Sequence, residues 1–141
     1  MKARFVVLLS ALWWGSLSGL GFVVVPLLFT HLGSPAEAGA MAAKLFTAQT
    51  WLSVACGMML LVLLNKRDDV EVVPESRATM AWVVAGMLLA LLVEFGVAVQ
   101  IVSARSTGGN LRLWHGVGSA MYLGQWFCAS LLLWRLTRER P

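Results

Sequence analysis

Four polar side chains stand where a strongly apolar, 141-residue sequence has least use for them. Glu94 and Gln100 lie inside the apolar run Ala78–Val102, His115 opens the run Leu113–Trp134, and Gln49 sits within a further apolar stretch. An ionised carboxyl in hydrocarbon costs roughly 2.5–3.5 kcal/mol on insertion scales, so Glu94 must be protonated, paired or turned to a wet cavity. Gly86, Ala90 and Ala98 flank it at four-residue steps, and such small-residue stripes face neighbouring helices. His115 is the expected partner, with Ser119 and Tyr122 four and seven residues on, along its own helix face. A carboxylate, an imidazole and amides brought together suit a proton relay, an ion site or a pocket for a polar ligand. The same groups suit a second role, interhelical hydrogen bonding that fixes the register of a bundle.

The elements that must position these groups follow from composition. Apolar residues make up 59% of the chain and charged residues 13%, against about 45–50% and about 25% in soluble domains. Too little charge remains to clothe a water-facing surface. A spanning helix needs roughly 20 apolar residues. Four blocks qualify, at 5–29, 45–64, 78–102 and 113–134, and Glu94 is the one Asp, Glu, Lys or Arg inside them. Leu, Ala and Met dominate these runs without period-two alternation, so helices are expected rather than a barrel. The fold class is therefore an all-α membrane protein, a single four-helix transmembrane bundle.

Basic residues set the orientation. Lys2, Arg4, Lys66, Arg67, Arg77, Arg135, Arg138 and Arg140 fall on one side, against Lys44, Arg105 and Arg112 on the other. The positive-inside rule then puts both termini and the loop 65–77 in the cytoplasm, in a bacterial inner membrane. The formal charge of +4 thus marks topology and not nucleic-acid binding. Trp13, Trp14, Trp82, Trp114 and Trp134 are expected as interfacial anchors. The first block runs on past its basic start without an Ala-x-Ala-like site, so it is expected to remain as a span.

Local signals refine the helices. Ser34, Pro35 and Glu37 form an S-x-x-E capping box, so the second helix should start near Pro35 and run to Leu64. Pro26 removes a donor from the first helix and should kink it. Ser103–Asn110 reads as a turn. Gly15 and Gly19, and Gly116, Ala120 and Gly124, make two small-residue faces on which homo-oligomers could form. Cys56 and Cys128 lack C-x-x-C spacing and read as buried free thiols. His31 and His115 are the sole histidines, and haem or copper would have to use them, the copper with help from Met58, Met59, Met87, Met121 or the thiols. No nucleophile-elbow serine or triad is present, which leans against an enzyme and against any cofactor.

Trp14-Gly15-Ser16-Leu17, Phe22 to Phe29, Ala38-Gly39 and Leu45-Phe46 resemble the first half of a domain-of-unknown-function family. Its members are small bacterial four-helix membrane proteins similar to eukaryotic transmembrane protein 205. Leu113 to Ser119 resembles the histidine motif of that family's fourth helix, although Gly118 stands where a serine is expected and Tyr122 where an asparagine is. More distantly, the first helix is similar to copper-resistance membrane proteins and to the haem-pathway protoporphyrinogen oxidase, a likeness that implies metal or haem handling. The oxidase's first-helix histidine has no counterpart in Ser10–Trp14. Taken together, the residues predict a transport-type protein handling a proton, ion or small ligand at Glu94, His115, Gln49, Gln100, Ser119 and Tyr122. The alternatives are a haem- or copper-binding redox or delivery protein, and a non-catalytic assembly subunit.

Overall fold

The computed structural model describes residues 2–65 and 74–138, with the side chains of 2 and 74–76 outside that description. Lys66, Arg67, Arg140 and most of the expected loop 65–77 lie outside the described residues. What is described is helical: four helices long and apolar enough to cross a membrane, over Ala3–His31, Pro35–Asn65, Arg77–Thr107 and Leu111–Thr137. Each packs on its neighbour in sequence, and the fourth closes the ring on the first.

The turns are built as their residues dictate. Ser34 Oγ accepts from the Glu37 N–H at 3.2 Å, and the second helix runs unbroken from Pro35 to Asn65. The third helix continues through the expected turn as far as Thr107. It stops where Gly108 takes φ 73°, a left-handed conformation that glycine adopts without a Cβ penalty. Asn110 then caps the fourth helix, its Oδ1 accepting from the Leu113 N–H at 3.0 Å. These two tight connections share one end of the bundle, here called the turn end. The termini mark the other.

Two helices contain a π turn. In the first it spans Leu20–Val24, between α segments Lys2–Gly19 and Val25–His31. Pro26 follows two residues after its end and has no N–H to return to Phe22. The expected disturbance is thus a widened turn inside a continuous helix. In the third helix the π turn spans Val93–Val97, between Pro74–Leu92 and Ala98–Thr107, and Glu94 is its second residue.

The densest packing is one-sided. Val6, Leu9, Trp13, Leu17, Cys56, Leu60, Val83, Ala129 and Leu132 form a buried core. The midpoints of the four spans fall at residues 17, 50, 92 and 124, so this core occupies the terminal half. Trp13 is wholly buried, and Trp14 is half-buried with its indole N–H bonded to the fourth helix. The expectation that these two are interfacial anchors is therefore corrected: four or fewer residues separate them from the midpoint, too deep for headgroups. Cys56 and Cys128 are buried and unpaired.

Candidate functional site

Polar side chains concentrate at mid-depth. Ser16, Thr47, Gln49, Ser53, Glu94, Tyr122 and Gln125 each lie within three residues of the midpoint of their span. With no water to satisfy them there, they must satisfy one another.

Gln49 and Gln125 supply the centre. Gln49 Nε2 donates to Ser16 Oγ at 2.9 Å and lies 3.4 Å from Ser53 Oγ. Gln125 Nε2 donates to the same Ser53 oxygen at 2.8 Å. The serine hydroxyls pass their own protons to backbone carbonyls one turn back, Trp13 O for Ser16 and Gln49 O for Ser53, both at 2.8 Å. One knot thereby ties three helices together. Gln49, Ser53 and Gln125 are all buried, and their donors are used within the protein.

Glu94 stands apart from this knot. Its Oε1 accepts from Thr47 Oγ1 at 2.8 Å across the seam between the second and third helices. Thr47 and Gln49 are two residues apart on one helix, so they face different neighbours. The carboxyl is only half-buried. Trp51 and Phe95 pair edge-to-face beside it with centroids 6.5 Å apart, and both are exposed on the outer surface of the bundle. Ala90 and Gly86, one and two turns back on the third helix, are buried, as the small-residue stripe requires.

The other candidates are placed elsewhere. His115, Ser119 and Gln100 are exposed. His115 is nine residues from its span's midpoint and Glu94 two, which separates them by about 10 Å of helix rise. Among the described residues no hydrogen bond joins them. Tyr122 turns to the first helix, donating to Leu17 O at 2.8 Å, with Phe46 edge-on at 5.3 Å. His31, also exposed, bonds locally through Nδ1 to Thr30 Oγ1 and Leu27 O. No group of three His, Cys, Asp or Glu is close enough to hold a metal among the described residues, and both histidines are exposed.

Sequence reasoning missed Thr47, Ser16 and Ser53, which carry no charge and look ordinary in a membrane helix. It also missed a reciprocal pair of bonds between the first and fourth helices. Trp14 Nε1 donates to Ser130 Oγ and Trp126 Nε1 to Ser18 Oγ, both at 2.9 Å. Each serine returns its proton to the carbonyl of the tryptophan on its own helix. The repeated Trp-x-x-x-Ser spacing, at 14–18 and 126–130, was the available signal. Trp13 Nε1 is the one fully buried side-chain nitrogen or oxygen without a partner among the described residues.

These features define a class: a small four-helix membrane protein whose polar side chains are gathered at mid-depth, one acidic group among them. Residues 8–110 match the family model "Domain of unknown function (DUF4149)", and the chain belongs to that family. The match ends before the fourth helix, so Gln125 and the second Trp-x-x-x-Ser lie beyond it. It does not extend to transmembrane protein 205, copper-resistance proteins or the haem-pathway oxidase. Neither the curated proteins nor the solved structures contain a match to the chain.

Proposed function

We propose that this is a transport-type, non-enzymatic protein of a bacterial inner membrane that handles a proton or small cation at the Glu94–Thr47 pair. The observation that carries the reading is the position of Glu94, half-buried in a π turn at mid-depth, with a hydroxyl as its hydrogen-bond partner. A carboxyl so placed has no neighbouring cation from the sequence of its own span, and intramembrane ionisable groups mark ion and proton paths. π turns recur at functional sites because the widened turn frees backbone groups and re-aims side chains. The Gln49–Ser53–Gln125 knot, closed on itself, serves as the frame. His115, Ser119 and Gln100 take no part in the site under this reading. The basic bias of eight to three supports cytoplasmic termini, which places the turn end outside.

The test is a hydrophobic carbodiimide, which reaches carboxyls from the bilayer and reacts with the protonated form. In proteoliposomes we expect one adduct, at Glu94, absent from Glu94→Gln. Proton or cation flux should fall with adduct formation and be lost in Glu94→Gln while the protein still inserts. A folded protein that forms no adduct at Glu94, or whose flux ignores Glu94→Gln, overturns the proposal in favour of an assembly role.

A further inference from the structure

His115, Ser119, Tyr122, Trp126 and Ser130 recur at three- and four-residue steps and so share one face of the fourth helix. The last three all meet the first helix, at Leu17 O, Ser18 Oγ and Trp14 Nε1 respectively. His115 and Ser119 continue the same stripe and are exposed. The first helix has left them. Its π turn and Pro26 fall just beyond the last of these bonds. The tip that follows, Val25–His31, buries no residue and packs on the second helix. The fourth helix likewise buries nothing before Gln125. Above Tyr122 the two tips therefore part, and the cleft between them opens sideways to the bilayer. Its floor is the Tyr122 ring lying against Gly21 and the edge-to-face pair Phe22–Trp126, centroids 5.6 Å apart.

The walls are amphipathic along their length. Near the floor they are aromatic and aliphatic, with Phe22 exposed. Toward the turn end come Ser119, then His115, then Arg112, one turn further along the stripe, with His31 at the end of the opposite wall; all four are exposed. Neither Val25–His31 nor Leu111–Ala120 contains an acidic residue. Basic groups at the membrane surface above an apolar slot are complementary to an anionic head on an acyl chain. We propose that this cleft binds one anionic phospholipid from the bilayer, its phosphate at Arg112 and His115 and an acyl chain along Phe22 and Trp126. The site is separate from the Glu94–Thr47 pair and does not depend on what that pair does.

The experiment uses the whole protein in nanodiscs with a phosphatidylglycerol probe carrying a photoreactive diazirine on its acyl chain. Labelling should concentrate in residues 22–31 and 111–126. Unlabelled phosphatidylglycerol should compete about fivefold better than phosphatidylcholine, the weight of one basic side chain at a lipid surface. Arg112→Gln should abolish that preference. Ser119→Trp, at an exposed position where the larger ring fills the slot without disturbing the core, should cut labelling there about tenfold. The same variant should spare the apolar groove of Phe5, Met58, Met59, Val62 and Leu63, which serves as the internal control. Labelling spread evenly over the lipid-facing helices, or indifferent to both variants, overturns the proposal. So does efficient disulfide cross-linking of Ser119→Cys between copies, which would show that a second copy covers this face.

Discussion

The seam between the first and fourth helices is two different structures end to end. From the terminal end to mid-depth it is closed: two Trp–Ser bonds and the Tyr122–Leu17 bond cross it, and the buried core lies beside it. In the turn half the same two helices part, and His115, Gly116, Ser119 and Ala120 are exposed. Hydrophobicity does not distinguish the halves, because lipid tails are as apolar as leucine and give helices no reason to associate. Close packing and hydrogen bonds do. The closed half has large interlocking side chains and reciprocal donors, and the open half has small residues, a π turn and a proline. Rigidity and access are thus segregated along one pair of helices, with the polar layer at their boundary.

The sharpest way to break this comparison is to hollow out the closed half. Trp13→Ala removes a fully buried indole that packs against Gly86 and should cost about 3–5 kcal/mol, read as a lower denaturing-detergent fraction at the unfolding midpoint. Next comes the boundary itself. An alanine Cβ at Gly21 would stand 2.6 Å from Tyr122 Cε1, and that ring is held by its bond to Leu17 and by Phe46. Gly21→Ala should therefore cost about 1–3 kcal/mol and loosen the Tyr122–Leu17 bond. Smaller again are the Trp–Ser bonds. A double-mutant cycle of Ser18→Ala with Trp126→Phe should show a coupling of about 0.6 kcal/mol, up to about 1.7 kcal/mol. His115→Ala and Ser119→Ala in the open half should each change stability by less than about 0.5 kcal/mol. A cost above 1 kcal/mol for either would mean that the open half is closed after all.

Much of this was legible in the residues. Apolar run lengths imply four helices, Ser34-Pro35-x-Glu37 implies where the second begins, and Gly108-Gly109-Asn110 implies the tight turn. Glu94 stood out because charge in hydrocarbon is expensive. What failed was pairing across helices. Placing His115 near Glu94 used depth alone, and depth says nothing about which seam a side chain faces. Thr47 and Ser53 gave no warning because a hydroxyl in a helix can bond its own backbone at little cost. The π turns were invisible for a different reason. Pro26 and Gly96 permit them, but whether a turn widens depends on what inserts from the next helix. Trp13 and Trp14 misled because tryptophan is enriched at interfaces on average, whereas here it fills the space that Gly86 leaves open.

An effect of the opposite sign concerns Gly15, on the first helix between the two tryptophans' turn and Gly19. A Cβ added there meets nothing within 4 Å, and the same holds at Gly19 and Gly116. Glycine weakens a helix by about 1 kcal/mol relative to alanine, so Gly15→Ala should leave the single bundle unchanged or raise its stability by up to about 1 kcal/mol. That gain is the reference against which an oligomer becomes visible. If copies associate through the Gly15–Gly19 face, the added methyl stands between two backbones, and a stabilised bundle should accompany a weakened dimer in the same sample. Unfolding and association measured together on Gly15→Ala, with Gly116→Ala as the counterpart in the open half, therefore separate a glycine kept for a partner from one that merely faces lipid. Gly15→Ala that strengthens the bundle and leaves association untouched removes the small-residue face of the first helix as an interface.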